Sequence, residues 1–414
     1  MAPNVHEMIP QKIQNVLRKF VGKDMQKYSI NVNDPTNAGE NWLGIIYNVA
    51  VKGNGDDEKL NLDLIIKLAP YQEQYRKSFP IRDVYVREVF VYDNIIVEFL
   101  RLQREKKLEN IFNPFATCLT TTLDDCREAI VMDNMKMKGF ETFDYRLATN
   151  YQHAELTMKE LGKFHALSFA IRDQKPDLFK YFEDNCKETF FNSHIHQYSI
   201  SIVTNLGISV LKTYNPINEG REFQALQNSL RNVPNTFKDL LNSEKFGKYS
   251  VVNHGDFQIK NFLYKYGISA QPDVPTQVCF LDWQLSRIGS PAFDILQFMF
   301  ICTRKEVRNN DYLKLLSVYY QSFSSLLRQV GCDPEVLMPF DVLLEQLKEF
   351  SAFPFYFAMW AIAGNMKEGE GAKDIYNNLT EDAMVNFFSS APTDEYIKVI
   401  RDIIAHLIQY DCRF

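Results

Sequence analysis

The segment VVNHGDFQIKNFLYKY, Val251 to Tyr266, constrains this chain more than any other stretch. It sets out His254, Gly255 and Asp256, then Asn261 after four intervening residues, and runs on into the apolar FLYKY. A second run, CFLDWQ, carries Asp282. Phe262 to Tyr266 and Val278 to Asp282 read as the strands of a β-hairpin, whose loop contains Gly267, Pro272 and Pro275. Antiparallel pairing brings the start of one strand beside the end of the other, so Asn261 and Asp282 fall at the same end, with Asp256 in the loop that feeds it. Any one of these residues alone reads as a turn or cap residue. The ordered set, HGDxxxxN, strand, loop, strand, Asp, reads as a site.

Two carboxylates and an amide oxygen converging beside a loop suit phosphoryl transfer. Magnesium takes hard oxygen ligands and retains water, so one carboxylate and one amide suffice when nucleotide phosphates complete its octahedron. On this reading Asn261 and Asp282 hold metal, and Asp256 accepts or orients the proton of an attacking hydroxyl.

The amino-terminal half offers matching parts. Ile45 to Val51 and Leu62 to Leu68 read as a hairpin with a long tip, whose pairing sets Lys67 opposite about Ile46. Nearby lies AGENWLG, Ala38 to Gly44, a turn with Gly39 and Asn41 that is expected to cover phosphates although it is no GxGxxG. A helix is expected over about Arg82 to Leu100, with Tyr85, Glu88, Tyr92 and Ile95 on one face. A carboxylate on that apolar face needs a partner, and Lys67 is the candidate. Ile130 to Met132 reads as a short strand leading into the polar segment Asp133 to Gly139, after which helical periodicity dominates from Gln152 to Ile171. The expected architecture is α+β, with a small β-containing lobe over 1–134 and a larger, mainly helical lobe over 135–414.

With these residues assembled, the sequence resembles the kinase-like phosphotransferases that include choline kinases and aminoglycoside phosphotransferases, and more narrowly the insect ecdysteroid-kinase-like family. The resemblance rests on NHGDFQIKNFLYKY, on FLDWQLSRIGSPAFDILQF (Phe280 to Phe298), on LGKFHALSFA (Leu161 to Ala170), and on IIKLAP preceding REVFVY. It implies a bilobal protein-kinase-like fold that uses ATP and magnesium. It also implies Asp256 as catalytic base, Asn261 and Asp282 as magnesium ligands, and Lys67 with Glu88 as the nucleotide-positioning pair. Asp133, Asn134 and Met135 would form the adenine-binding hinge, while His254 and Asp294 would brace the catalytic loop. Protein kinases place an Arg between the His and the Asp and a Lys two residues after the Asp; Gly255 and Gln258 stand there instead, which favours a small-molecule acceptor. His165, in KFHALS, reads as a packed helix residue.

Composition narrows the partners. Lys plus Arg number 46 against 52 Asp plus Glu, a formal charge of -6, so no broad basic field attracts a nucleic-acid backbone. Seven scattered cysteines without metal spacing suit a reducing cytoplasm. Ile9, Ile13, Val16, Leu17 and Phe20 follow one helical face rather than a secretion signal, and the apolar stretch Phe350 to Ala363 is too short to span a bilayer. That stretch carries Phe355, Tyr356 and Trp360, on which a flat steroid alcohol of the ecdysteroid type would stack. Aromatics at helical spacing usually make core, so these residues only permit the ecdysteroid-type acceptor, which the resemblance alone implies. Detoxification of foreign hydroxylated compounds, a choline- or ethanolamine-type activity with Glu345, Glu349 and Trp360 near a cation, and a silent binding protein are the other readings.

Overall fold

The computed structural model describes residues 28–32, 43–53, 61–144, 149–193, 195–267, 274–367, 380–390 and 392–414. The expected amino-terminal helix face, the hairpin tip, His194, and the candidates Gly39 and Asn41 lie outside them.

A five-stranded antiparallel sheet opens the fold: β1 (Tyr28–Val32), β2 (Ile45–Gly53), β3 (Asn61–Leu68), β4 (Cys118–Thr122) and β5 (Ala129–Asp133), in the order β1-β2-β3-β5-β4. Strand alternation divides its side chains between two faces. Tyr47, Val49, Val51, Leu64, Ile66, Leu68, Ala129 and Val131 form a small core of their own on one face. Lys67, next to Ile66, therefore turns to the other face, in register with Ile46 and Ile130.

Between β3 and β4 run α1 (Glu73–Ser78) and a long helix, α2, built from Ile81–Phe90, Val91–Ile96 and Val97–Glu105. The expected helix is there, but its middle section winds as a π-helix. The wider turns shift the phase of the apolar face, so that both Val84, Tyr85 and Glu88 before it and Phe99 and Leu102 after it are buried.

Beyond β5 the chain is mainly helical, and the class is α+β. After β6 (Phe140–Thr142) come α3 (Tyr151–Gln174), α4 (Pro176–Asn185), α5 (Ile195–Leu211) and α6 (Gly220–Leu240). Asn150 caps α3, its side chain accepting from the His153 N–H at 3.0 Å. The expected hairpin pairs β8 (Phe262–Tyr266) with β9 (Pro275–Phe280), register Phe262 to Phe280, and β6 adds a third strand beside β8. A further short pair, β7 (Val251–Asn253) with β10 (Arg287–Gly289), encloses the HGD loop and the Asp282 turn between its strands. Then follow α7 (Ala292–Cys302), α8 (Lys305–Gln329), α9 (Pro334–Leu337), α10 (Phe340–Glu349), α11 (Ala352–Met366), α12 (Glu381–Ser389) and α13 (Asp394–Gln409). Helix α3 packs along α8 and against β9, and α11 packs on α7 and α5. Cys279, at the end of β9, is a fully buried core residue.

Candidate active site

Residues 254–261 leave β7 as an irregular loop, and buried polar groups hold its backbone. The Asp294 carboxylate, at the start of α7, accepts from the His254 N–H at 2.7 Å and the Gly255 N–H at 3.0 Å. Burial opposes the Asp294 charge, but His165, His254 and the Gly255 N–H together hold its pKa below the usual value. The His254 ring donates from Nε2 to the Leu281 carbonyl at 2.9 Å, while Nδ1 faces the Asp256 N–H at 3.4 Å. That arrangement requires a neutral imidazole, and burial lowers the His254 pKa accordingly. Gly255 takes φ +88°, and a Cβ there would lie 1.9 Å from the Leu285 carbonyl oxygen, so no other residue fits.

The sequence reads His165 as a packed helix residue, and the structure gives it more. Its Nε2 lies 3.2 Å from Asp294 Oδ2 and its Nδ1 lies 2.8 Å from the Tyr319 hydroxyl, all three groups being fully buried or nearly so. It stands behind the residue that holds the loop. Gln297 was missed as well: it accepts from the Phe257 N–H at 3.2 Å and donates to the Gly255 carbonyl at 3.3 Å. Nothing in its helical surroundings distinguishes Gln297 in the sequence.

The loop delivers Asp256 with both carboxylate oxygens engaged. Gln258 Nε2 donates to Oδ1 at 2.6 Å, and Asn261 Nδ2 donates to Oδ2 at 2.9 Å and to the Asp256 carbonyl at 2.8 Å. Burial and the nearby Asp282 charge push the Asp256 pKa up to about 6, against the pull of these two amides. Because the Asn261 amide nitrogen is committed to Asp256, its Oδ1 stands outside those bonds.

Asp282 lies two residues past β9 rather than within the strand, in a left-handed conformation (φ 68°, ψ 68°). The hairpin register still carries it to the Asn261 end, where the Leu281 N–H donates to the Asn261 carbonyl at 2.9 Å. Lys67 crosses from the sheet to meet it. Its ammonium is 2.6 Å from Asp282 Oδ1, 2.6 Å from Glu88 Oε2 and 3.3 Å from Gln284 Oε1. Burial works against the Lys67 charge, but the two carboxylates outweigh it and hold the pKa above that of an ordinary lysine. Burial pushes the Glu88 carboxyl up, opposed by Lys67. Gln284, present in CFLDWQ but given no role from the sequence, also donates to Asp282 Oδ2 at 3.1 Å. Gly44 makes room for the lysine, since a Cβ there would sit 3.0 Å from Lys67 Cε.

These groups open on one cavity, lined at its polar end by Lys67, Asp256, Gln258, Lys260, Asn261, Asp282 and Gln284. Its other walls are mostly apolar, with Phe79 and Phe190, Phe357, Trp360, Ala361 and Gly364 of α11, and Met384 and Phe388 of α12, joined by the polar Asn365 of α11. Trp360 lines the cavity as expected of a stacking residue, whereas Phe355 and Tyr356 do not. Phe355 packs in the core against Phe414, and the Tyr356 hydroxyl bonds Ser229, because their side of α11 faces the helices behind it. Glu345 and Glu349 are likewise elsewhere, paired with Lys348 and Arg413.

The expected hinge residues are not part of this lining. Asp133 ends β5 and pairs with Lys138 at 2.7 Å, Asn134 caps a short 3₁₀ turn, and Met135 is buried at the start of that turn. The backbone N–H groups of Asp133 and Asn134 are taken by the Thr117 and Asp63 carbonyls.

The family that the sequence matches makes the protein a small-molecule phosphotransferase. The family model described as the ecdysteroid kinase-like family matches residues 38–332, and the chain belongs to that family. No curated protein matches the sequence. Among solved structures, an ethanolamine kinase of Plasmodium vivax aligns with 93% of this chain and 82% of its own at 14% identity and a TM-score of 0.42.

Proposed function

We propose that the protein moves the γ-phosphoryl group of ATP, with magnesium, to a hydroxyl of an apolar small molecule, most favourably a steroid alcohol of the ecdysteroid type. The observation that carries this reading is that Asp256 stands at the polar end of a cavity whose remaining walls are mostly aromatic and aliphatic. Asp256 takes the proton of the acceptor hydroxyl as its oxygen bonds to the γ-phosphorus and the β–γ bridging bond breaks, with ADP leaving. Its raised pKa suits that task, since the carboxylate is ionised at neutral pH yet more basic than an exposed aspartate.

Lys67, aligned by Glu88, holds the nucleotide's phosphates, and Gly39 and Asn41, outside the described residues, are assigned to contacts with them. Asp133, Asn134 and Met135 are assigned to the adenine edge, with the lobe boundary after Asn134; the first N–H of a 3₁₀ turn has no partner inside the turn, so Met135 supplies a donor. Among the described residues no three His, Cys, Asp or Glu side chains group to hold a metal by themselves. That donor set suits magnesium shared with phosphate oxygens, with the Asp282 carboxylate and the Asn261 Oδ1 as the protein's ligands. When bound, the metal neutralises charge on the phosphates. His254 and Asp294 keep the loop in place and touch neither reactant.

No described helix is long and apolar enough to cross a membrane, and all seven cysteines are unpaired. A cytoplasmic enzyme with ATP and a hydroxylated acceptor as its partners fits both facts. A choline- or ethanolamine-type acceptor is the alternative: the aromatic walls Phe190, Phe357, Trp360 and Phe388 suit a cation, although Asp256 and Asp282 are the only carboxylates among the described lining residues and both are already hydrogen-bonded. A silent binding protein is disfavoured by the convergence of Lys67, Glu88, Asp256, Asn261 and Asp282. Detoxification of foreign alcohols uses the same cavity and differs only in the acceptor.

Incubation with ATP, magnesium and a panel of steroid, amino and plant-derived alcohols, followed by mass spectrometry, tests the proposal. A mass gain of one phosphate on an apolar alcohol is expected. Asp256→Asn should lower the rate by about 10²–10⁴-fold with an unchanged circular dichroism spectrum. Absence of phosphorylated product across the panel, with nucleotide binding intact, would overturn the enzymatic reading.

A further inference from the structure

Helix α11 turns one stripe toward the cavity, since its lining residues Phe357, Trp360, Ala361 and Gly364 recur at spacings of three and four. Met384 and Phe388, four apart on α12, face the same space. The two helices meet where Phe388 lies on Gly364. A Cβ at Gly364 would stand 2.9 Å from Phe388 Cε1, so the ring rests against the backbone of α11 in the place a side chain would take. Trp360 meets the same ring edge-on, with centroids 5.6 Å apart and planes at 86°.

The backbone that carries Phe388 is held. The carbonyls of a helix's last turn find no partner inside the helix, and a cation beside them is favourable. Lys367, the C-cap of α11, supplies it to α12: its Nζ donates to the Phe387 and Ser390 carbonyls at 2.5 Å each and to the Ser390 hydroxyl at 2.9 Å. Helix α12 also packs along α5. A change in the contact at Gly364 therefore moves the Phe388 ring rather than the helix, and the ring borders the cavity.

We propose that Gly364 and Phe388 are specificity-determining residues: the bare backbone at Gly364 lets the Phe388 ring draw back onto α11, and the depth this leaves admits a polycyclic acceptor. The inference rests on the phosphotransferase reading of the cavity and deepens it by naming the pair that limits acceptor size. Apolar walls discriminate by volume, one methylene being worth about 10–200-fold, so a displaced phenyl ring has a measurable effect.

The probes are androstan-3-ol and 2-decalol, secondary alicyclic alcohols of four and two fused rings, with binding measured by equilibrium dialysis in the presence of magnesium and a non-hydrolysable ATP analogue. Gly364→Ala, which drives the ring into the cavity, should lower the ratio of androstan-3-ol to 2-decalol affinity about tenfold. Phe388→Ala should raise that ratio, and added to Gly364→Ala it should restore it, because the new methyl group then meets no ring. Thermal melting identifies the folded variants, and Phe388→Ala decides the matter if Gly364→Ala does not fold. No binding of either probe by the wild type, a ratio indifferent to Phe388→Ala, or a loss in Gly364→Ala that persists in the double variant would each overturn the assignment. A ratio that follows both residues while no phosphorylated product forms with ATP would uphold the wall and remove the phosphotransferase reading. Transfer to both probes with a ratio indifferent to both residues would do the reverse.

Discussion

Asp256 stands between opposing influences. Burial and the Asp282 charge push its pKa up to about 6, and the amides of Asn261 and Gln258 pull it back. Below that pH the carboxyl is protonated and has no capacity for a further proton; above it the carboxylate is the base. The plot of kcat/KM against pH should therefore rise on its acid limb with a midpoint near pH 6, as read from initial rates at saturating magnesium. A midpoint at or below that of an exposed aspartate would mean that another group limits the reaction. At this scale the sequence is most legible where chemistry and order coincide, as with Asp256, Asn261 and Asp282. Gln258, Gln284 and Gln297 are less so, because an amide's part depends on which groups the fold sets against its two ends.

Between elements, the contact of α3 with α8 supports the loop from behind. A Cβ on Gly162 would lie 2.3 Å from the Tyr319 carbonyl oxygen and 3.1 Å from the Phe323 nitrogen, so the two helices meet backbone to side chain-free surface at this point. His165 lies one turn further along α3 and reaches the Tyr319 hydroxyl across the same contact. Gly162→Ala should force the helices apart, lowering stability by about 1–3 kcal/mol in urea unfolding. It should also reduce kcat more than it changes nucleotide affinity, since Tyr319, His165 and Asp294 form one chain to the loop. Retention of full kcat in the destabilised variant would detach His165 from loop positioning. The hairpins and α2 followed from periodicity, whereas β7 and β10 did not: each is three residues long, and only their pairing across the Asp282 turn makes them strands.

Across the whole molecule, Arg87 ties the sheet region to the helical one. Buried on α2 beside Glu88, its guanidinium donates to the Ser286 and Lys187 carbonyls, beyond the Asp282 turn and after α4 respectively. The helix that aligns Lys67 is thereby fixed to the segment that carries Asp282. Arg87→Met removes both bonds and leaves two carbonyls without donors, so the KM for ATP should rise about tenfold and amide exchange along α2 should quicken. Exchange unchanged from the wild type would show that packing alone holds α2 in place. A second tie is made by Trp283, which is buried among His254, Phe115 and Phe164 with ring centroids 4.5, 5.6 and 5.2 Å away.

The sequence by itself determined the α+β class, the existence of both hairpins and the register of the first, with Lys67 opposite Ile46, because strand alternation and antiparallel pairing are local rules that place residues by counting. The second strand of the second hairpin ends at Phe280, two residues before the expected Asp282. Tertiary structure decided which aromatic residues of α11 meet the cavity and which meet the core. Phe355, Tyr356 and Trp360 share one helical stretch, and only the packing of α11 on α5, α6 and α7 turns Trp360 and Phe357 toward Asp256. It also decided the part of His165, whose partners Asp294 and Tyr319 lie 129 and 154 residues away in the chain, a separation over which no periodicity in the sequence carries information.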